Sequence, residues 1–262
     1  MYSLVNYASI FFQEKQKKNT DTGLSIGGFS KVFSFSLQDI NSDFYEKNKN
    51  ILILKKGEGY WLWKPYFILK VLESLNEEDY LFYCDSGAYF IDSINSTIEL
   101  SKELNQDIIT FHTDYLEKQY TKRDAFILMN CDTPHFTDTK QSVATMHLWK
   151  KTDFSINFLK EWLLFAQDQR ILTDIHNTLG EPNYPEFVAH RNDQSIFSLL
   201  CKKYNLQAFP EPTQFGNIER QKLQNPYLKQ FLHHTKGDRI KRTIIQKIIH
   251  ELTRPFKPKK LY

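Results

Sequence analysis

The sequence predicts an α/β fold, because segments with a helical hydrophobic period alternate with short strand-like segments along its 262 residues. The length suits one large domain, or one domain with an extension. Phe, Tyr and Trp make up 15% of the chain, which provides ample material for a core. The clearest unit lies within residues 57–90, where a turn, a helix and a buried strand lead to Asp85.

The helix of this unit is predicted to begin near Pro65, whose fixed φ and missing N–H suit the first helical position. Apolar residues then recur at the helical period, at Phe67, Ile68, Val71, Leu72 and Leu75. Residues 80–83 form a short aromatic and aliphatic strand, and Cys84-Asp85-Ser86-Gly87 closes it. A carboxylate at the carboxyl end of a buried strand is where open α/β sheets bind ligands. The alternative is that Asp85 only opens a turn.

The remaining elements follow from the same periodicities. Strands are predicted at residues 3–8, 31–35, 107–111, 142–149 and 207–209, and helices at residues 37–47, 93–104, 155–166, 193–204 and 239–252. Residues 11–19 fit a helix or a loop, and residues 124–129 fit a helix or a strand. The Gly-rich residues 23–29 indicate a turn without the spacing of a phosphate-binding P-loop. The polar residues 173–187 indicate a surface loop of the kind that carries binding groups.

The cysteines and the N-terminal residues indicate a cytoplasmic protein. Cys84, Cys131 and Cys201 are few and far apart, which favours neither a zinc ribbon nor a disulfide framework. The first twelve residues lack the basic region and cleavage site of a signal peptide. No run of about 18 apolar residues predicts a membrane span.

Charge is distributed unevenly along the chain. Residues 229–262 contain ten Lys or Arg and two acids, a charge of +8, whereas the rest of the chain carries −5. The basic helix predicted at residues 239–252 fits contact with an anionic membrane surface, at the inner face of the membrane. The alternative is that its Ile face packs on the body while the Lys and Arg side chains are solvated. A nucleic-acid partner is not expected, because the body is acidic and no nucleic-acid module is present.

Three polar clusters stand at the ends of predicted elements: Asp85-Ser86, residues 190–194 and residues 233–237. An aspartate and a later histidine could share a divalent cation, for which manganese suits imidazole better than magnesium does. Lys236-Gly237 could hold phosphate oxygens through backbone N–H groups and a cationic side chain. Together the clusters indicate a nucleotide diphosphate with its metal. In the alternative interpretation Asp193 or Asn192 caps a helix, and the histidines are structural.

The segments GYWLWKPYFILKVL, YLFYCDSG, ATMHLWKKTDFSINFLKEWL, ILTD and HRNDQSIFSLL, in that order, resemble bacterial capsule and lipopolysaccharide glycosyltransferases of the GT-A fold. The resemblance covers roughly residues 2–209. The HTKG segment at residues 234–237 is similar to the His-x-x-Gly element of retaining glycosyltransferases related to glycogenin. The resemblance implies a Rossmann-like mixed sheet flanked by helices, a GT-A domain over residues 1–228, and a basic C-terminal extension, residues 229–262, that completes the donor site.

The resemblance also implies roles for individual residues. Asp193, Gln194 and Arg191 would act at the reacting centre, with Asp193 as the general base of an inverting enzyme, or with Asp193 or Gln194 lining the reacting face of the sugar in a retaining one. Donor contacts would come from Tyr7, Ala8, Ser9, Lys64, Asp85, Ser86, Lys236 and Gly237, and acceptor contacts from His190 and Trp149. Trp61, Trp63 and Tyr66 are expected in the core, although one of them near a cleft could also contact sugar.

The expected metal ligands are Asp85 and His234, with manganese favoured over magnesium. Asp85 would match the last acid of the Asp-x-Asp motif, whose first position holds Tyr83 in this chain. In the alternative, metal dependence is weak and cations such as Lys64, Lys236 or Arg239 stabilise the departing diphosphate.

The predicted function is therefore transfer of a galactose-type or glucose-type hexose from a UDP-sugar to an oligosaccharide or lipid-linked glycan during surface polysaccharide synthesis. The alternatives are a nucleotide-sugar hydrolase, a nucleotide-sugar-binding protein, or a nucleic-acid binder that uses the basic tail.

Overall fold

The centre of the protein, in a computed structural model that describes residues 1–235, is a mixed six-stranded sheet. The eight strands are β1 (Tyr2–Tyr7), β2 (Lys31–Phe35), β3 (Tyr80–Cys84), β4 (Ala88–Phe90), β5 (Ile108–Leu116), β6 (Lys140–Lys150), β7 (Ala208–Pro210) and β8 (Leu232–His234). The order in the sheet is β2-β1-β3-β6-β5-β7. Strand β6 runs antiparallel to both neighbours, and the β2-β1-β3 and β5-β7 pairs are parallel. Strands β4 and β8 form a separate antiparallel ribbon.

Helices cover both faces of the sheet. In chain order they are α1 (Gln13–Thr22), α2 (Ser42–Lys47), α3 (Lys49–Leu52), α4 (Trp63–Glu73), α5 (Asn95–Glu103), α6 (Glu117–Tyr120), α7 (Arg123–Leu128), α8 (Pro134–Thr137), α9 (Asp153–Ala166), α10 (Gln169–Leu172), α11 (Asp193–Lys203) and α12 (Asn217–Leu223). A short turn at Gly57–Tyr60 precedes α4. Short 3-10 segments lie at Ile10–Phe12, Leu37–Asp39 and Gln214–Gly216.

Alternation along the strands divides the core into two layers. On β3, Leu81 and Tyr83 face a layer formed with α4, α9 and α11, while Phe82 and Cys84 face the opposite layer. The first layer centres on Trp149, Trp162 and other large fully buried side chains. The second layer is closed by α5 and by the β4-β8 ribbon. Successive side chains of a strand point to opposite faces of the sheet, so β3 contributes buried side chains to both layers.

The structure confirms the predicted α/β class, with a mixed sheet flanked by helices. All five further predicted strands are present, and the segment predicted as a helix or a strand at residues 124–129 is a helix that ends at Leu128. Several features differ from expectation: residues 23–27 form a π-helical turn, and α12 and the β4-β8 ribbon were not predicted. The single helix predicted at residues 37–47 is wrong, because extended backbone at Ile40 and Asn41 divides it into a 3-10 turn, Leu37–Asp39, and α2. The helix predicted at residues 239–252 lies outside the described residues.

The predicted domain boundary at residue 228 is followed by a segment that packs against the core of the domain. Phe231 and Leu232 are fully buried in the second layer, and β8 pairs with β4. Among residues 1–235, no helix is long and apolar enough to cross a membrane. The three cysteines are buried and unbridged.

Candidate active site

A cavity of about 720 Å³ opens beyond the carboxyl end of β3 and at the first turn of α11. The structure brings half of the predicted site residues to this cavity, which is lined by Lys64, Asp85, His190, Arg191, Asp193, Gln194 and His234. Ala144 and Thr145 of β6 form part of its wall. Because Asp85 N–H donates to the Thr145 carbonyl at 2.8 Å, the turn after β3 is fixed against the neighbouring strand.

A buried lysine links the two predicted carboxylates. The Nζ atom of Lys64 lies 2.6 Å from Asp193 Oδ2 and 3.4 Å from Asp85 Oδ1. It also donates to the Ala144 carbonyl at 3.0 Å. The side chain of Lys64 is 3% exposed and that of Asp193 is 7%, whereas Asp85 is 31% exposed and faces the cavity. One ammonium therefore holds a buried and a partly exposed carboxylate in place.

Burial and charge shift the pKa values of this cluster in ways that matter for chemistry. Burial raises the pKa of Asp193 to about 6 against the opposing attraction of Lys64, and Asp85 raises it further. Burial alone would lower the pKa of Lys64, but the two carboxylates outweigh it and the pKa is raised. Lys64 is thus charged at neutral pH, and Asp193 titrates close to neutrality, where a carboxylate is effective as a base.

Tyr83, at the first position of the Asp-x-Asp motif, is a buried partner of Asp85. Its side chain is 1% exposed, stacks on His147 and donates from its hydroxyl to Asp85. An acid at this position would lie in the core. A side chain at Gly87, by contrast, would project toward His234, since a Cβ atom there would lie 3.6 Å from His234 Cε1. Residue 87 is therefore a position near Asp85 from which a side chain would point to the predicted ligand His234.

The two predicted metal ligands, Asp85 and His234, do not form a complete metal site by themselves. No group of three or more His, Cys, Asp or Glu side chains in residues 1–235 could hold an ion without further ligands. Asp85 and His234 line the same cavity, and the carboxylate of Asp85 is partly exposed there. This pair fits a cation that takes its remaining ligands from a bound diphosphate.

The predicted donor residues at the end of β1 have structural partners. Ser86 donates to the Tyr7 carbonyl at 2.6 Å and is buried, so it ties β1 to the turn after β3. Tyr7 stacks on Trp63 at 3.6 Å and donates to Glu58, and burial raises the pKa of its hydroxyl. Ala8 is buried and Ser9 is partly exposed. None of these four residues lines the cavity, while Lys236 and Gly237 lie outside the described residues.

His190 and Trp149, the predicted acceptor contacts, differ in position. His190 borders the cavity, but its ring is held by the Ile171 carbonyl and by Lys122 N–H, and burial lowers its pKa to about 3. It is therefore a neutral, positioned side chain. Trp149 is fully buried on β6 and donates to His147. The structure thus corrects the expectation for Trp149, since its indole offers no surface to an acceptor.

A buried polar network behind Gln194 and Arg191 escaped the sequence analysis. Gln141 accepts from Gln194 at 2.8 Å and from Arg191 at 3.5 Å, and it donates to Glu117 at 3.1 Å. Glu117 is fully buried and pairs with Lys202 at 2.7 Å. Each residue alone looks like an ordinary surface residue in the sequence, so only its burial in the fold reveals it. The Arg191 guanidinium also stacks on Tyr120 and Tyr115.

The end of the long loop between α10 and α11 forms another wall of the cavity. Asn192, at φ 52°, donates to Asp174 at 3.1 Å and to the Leu172 carbonyl at 2.8 Å. Asp174 in turn accepts from Lys56 at 2.7 Å. The side chain of Asn192 therefore does not cap α11, and Asp193 is directed to Lys64. This geometry favours a site over the helix-cap interpretation.

Solved structures with this fold include two glycosyltransferases. The apo form of mouse xyloside xylosyltransferase 1 matches over 90% of this chain and 97% of that chain, with a TM-score of 0.50 and 10% identity. The chain has a glycosyltransferase fold. The apo structure of the bifunctional glycosyltransferase WbbM matches over 90% of this chain, with a TM-score of 0.53 and 8% identity.

The present chain spans about half of the WbbM chain, 46% of its length. No protein-family model matches the sequence, and no curated protein does either. At such low identities the likeness establishes the fold, and the chemistry must be argued from the site.

Proposed function

We propose that this protein is a glycosyltransferase that moves a sugar from a nucleotide diphosphate donor to an acceptor hydroxyl. The observation that carries this proposal is the cluster of Lys64, Asp85 and Asp193 at the carboxyl edge of a glycosyltransferase-type sheet. The ligand cavities of open α/β sheets lie at this edge. The cavity also combines a positioned ammonium, a carboxylate that titrates near neutrality and an exposed carboxylate, which together suit transfer of a charged leaving group.

In this reaction the bond between the anomeric carbon and the diphosphate breaks, and the acceptor oxygen forms the new bond. The transition state resembles an oxocarbenium ion, and negative charge grows on the diphosphate. Lys64 keeps Asp193 ionised and oriented toward the cavity, so that Asp193 can accept the acceptor's proton or face the positive sugar ring. Gln194 and Arg191, held by Gln141, orient donor or acceptor oxygens.

We propose manganese, rather than magnesium, as the cation at Asp85 and His234. When bound with the diphosphate, the cation would neutralise the charge of the leaving group. A carboxylate facing a diphosphate without such a cation would repel it, and this repulsion supports the assignment. Lys236 and Gly237 remain proposed phosphate contacts in residues outside the described range.

The finer assignments are a UDP-hexose donor and an oligosaccharide or lipid-linked acceptor of surface polysaccharide synthesis. They are supported by the sequence segments and by the strong positive charge of residues 229–262. The same charge supports a site of action at the cytoplasmic face of an anionic membrane, where lipid-linked acceptors are found. Residues 229–262 are proposed to complete the donor site as a basic extension of the domain spanning residues 1–228.

The test is a panel of nucleotide sugars scored by thermal shift with manganese, magnesium or chelator. A bound donor raises the Tm by mass action, because a hundredfold excess over Kd adds about 2.7 kcal/mol to the free energy of unfolding. We expect Asp85→Asn to lose the metal-dependent part of the shift. Asp92→Asn, which changes an exposed carboxylate outside the cavity, should keep it. If no nucleotide sugar shifts the Tm of the wild-type protein, the proposal is wrong.

A second candidate is a hydrolase or a nucleotide-sugar-binding protein, which Tyr83 at the first position of the Asp-x-Asp motif favours. Release of UDP with and without acceptor sugars separates the three activities. A transferase releases UDP faster with its acceptor, a hydrolase releases it equally without one, and a binding protein releases none.

A further inference from the structure

The turn before α4 has positive φ at five consecutive residues, of which three are not glycine. Gly57, Glu58, Gly59, Tyr60 and Trp61 have φ values of 58°, 49°, 91°, 54° and 61°. The left-handed region suits glycine but disfavours the other three residue types. Such strain persists only where surrounding contacts impose it, and it concentrates at functional sites.

Several contacts hold this turn in its strained form. Trp63 Nε1 donates to the Gly57 carbonyl at 2.9 Å, and Gly59 N–H donates to the Leu54 carbonyl at 2.8 Å. The Tyr7 hydroxyl donates to the Glu58 carboxylate. The turn is therefore fixed both to the start of α4 and to the end of β1.

The turn sets the position of the Trp61 indole. A Cβ atom at Gly57 would lie 2.5 Å from Trp61 Cδ2, so the indole lies flat on the Gly57 backbone, where only glycine leaves room. Trp61 also lines the cavity that holds Asp85 and Asp193. Of the chain's four tryptophans, all within residues 1–235, Trp63, Trp149 and Trp162 are buried at 4%, 0% and 0% exposure, and Trp61 alone is not.

An ion pair borders the cavity that Trp61 lines. Lys56 lines the active-site cavity together with Trp61, and it also lines a second cavity of about 720 Å³ formed largely by the loop between α10 and α11. Its Nζ atom lies 2.7 Å from Asp174, which accepts from Asn192 next to Asp193. The Lys56–Asp174 pair therefore lies where the two cavities meet.

An aromatic surface with charged groups beside it matches the chemistry of a pyranose. The C–H groups on one sugar face pack on an aromatic ring, while the hydroxyls need hydrogen-bonding partners around it. Lys56 supplies donors and Asp174 supplies acceptors at this place.

We propose that Trp61, with Lys56 and Asp174, forms the subsite for the acceptor sugar, which extends from the active-site cavity into the loop cavity. This inference rests on the proposed glycosyl transfer and names the acceptor's place within it. Asp85 and His234 mark the donor diphosphate, whereas Lys56 leads to the second cavity, which has room for further sugar units. Trp61 is therefore assigned to the acceptor and not to the transferred sugar.

Tryptophan fluorescence tests the assignment directly, since Trp61 is the indole most open to a soluble quencher. We expect iodide to quench emission from the wild-type protein, and Trp61→Phe to remove most of that quenching. Within a panel of methyl glycosides and disaccharides, those that act as acceptors should protect the emission from iodide, whereas UDP alone should not. Protection by a UDP-sugar but by no acceptor would place the donor sugar on Trp61 and overturn the assignment.

Steady-state kinetics of transfer, with a sugar that acts as an acceptor, provide the second measurement. Trp61→Leu should raise the acceptor KM at least tenfold and leave the donor KM within twofold, and Trp61→Phe should recover part of the loss. Ile218→Leu, an exposed apolar side chain outside the cavity, is the matched control. An unchanged acceptor KM in Trp61→Leu overturns the subsite, even where transfer is intact. Failure of all UDP-sugars to bind wild-type protein would instead overturn the glycosyltransferase proposal.

Discussion

At the scale of single residues, the site depends on one ammonium shared by two carboxylates with different surroundings. Lys64 and Asp193 are almost completely buried, while Asp85 is partly open to the cavity. A buried charge is stable only when it is paired, so removal of one partner leaves the other uncompensated. The three residues therefore act as one unit, and their effects on activity should not be additive.

The raised pKa of Asp193 predicts an acid limb in the pH profile. Because burial raises this pKa to about 6, Asp193 becomes protonated as the pH falls through that value and loses both its charge and its attraction for Lys64. We expect kcat/KM for transfer to fall about tenfold per pH unit below pH 6. Asp193→Asn should lower kcat by roughly 10²-fold to 10⁴-fold and remove the limb. An acid limb near pH 4, the ordinary range for a carboxyl group, would contradict the role of Asp193.

The position of Gly87 predicts that an acidic residue introduced there will increase the affinity for manganese. A carboxylate placed there would project toward His234 and join Asp85 at the cavity, because the glycine has no unusual φ and its Cβ position makes only ordinary contacts. We expect Gly87→Asp to tighten manganese binding in the absence of nucleotide by at least tenfold, as measured by calorimetry. Ser25→Asp, which adds a carboxylate at an exposed position outside the cavity, should leave it unchanged. Equal affinities for Gly87→Asp and the wild type would argue against a cation at this place.

At the scale of elements, the loop between α10 and α11 is a rigid wall, although it has no regular secondary structure. The carboxylate of Asp124 accepts from Thr178 N–H at 2.6 Å and from Leu179 N–H at 3.3 Å. In return, Asn183 and Asn177 accept from the first backbone N–H groups of α7, at 2.8 Å and 3.3 Å. Loop and helix thus satisfy each other's unpaired groups, and this preorganises the second cavity.

This reciprocal bonding predicts that Asp124→Ala will loosen the loop. Asp124 is fully buried, so its loss leaves two backbone N–H groups without their acceptor and should cost about 1–3 kcal/mol. We expect a lower midpoint in urea, together with faster protease cleavage within residues 175–189. Asp114→Ala removes a carboxylate whose side chain is 85% exposed, and should change neither. Cleavage at the wild-type rate in Asp124→Ala would show that other contacts hold the loop.

The sequence predicted those elements whose signals are local. The helix after Pro65 and the strand before Asp85 were found because their hydrophobic periods and their boundaries lie within a few residues. The β4-β8 ribbon was missed because its two short strands are far apart in sequence and only their pairing defines them. The antiparallel direction of β6 was missed for the same reason, since periodicity carries no information on direction.

The candidate site was predicted only in part, because some of its signals are local in the sequence and others depend on the fold. Polar residues at element ends identified Asp85 and Asp193, but the ion pairs that join them through Lys64 depend on the fold. Trp149 and Trp61 show the limit most clearly. Both were large aromatic residues in suitable segments, and only the three-dimensional packing buries the first and leaves the second at the cavity.

At the scale of the whole molecule, the two ends of the described chain meet in one core. The second layer brings together Leu4 of β1, Phe82 of β3 and Phe231, which immediately precedes β8. Phe231 makes edge contacts with Phe82 and Phe111, with ring centroids 5.7 and 6.5 Å apart. The same segment carries His234 to the cavity. Closure of the core and placement of the proposed metal ligand are thus achieved by the same residues.

This coupling predicts that Phe231→Ala will affect both stability and the site. Loss of a fully buried aromatic side chain should lower the free energy of unfolding by about 3–5 kcal/mol, which denaturant titration measures. Because β8 is short and Phe231 anchors it, the variant should also bind manganese with UDP more weakly than the wild type at a temperature where both are folded. Ile218→Ala, at 72% exposure, should change stability by less than about 0.5 kcal/mol and leave binding intact. A destabilised Phe231→Ala that binds manganese and UDP as tightly as the wild type would show that His234 is positioned independently of the core, or takes no part in the site.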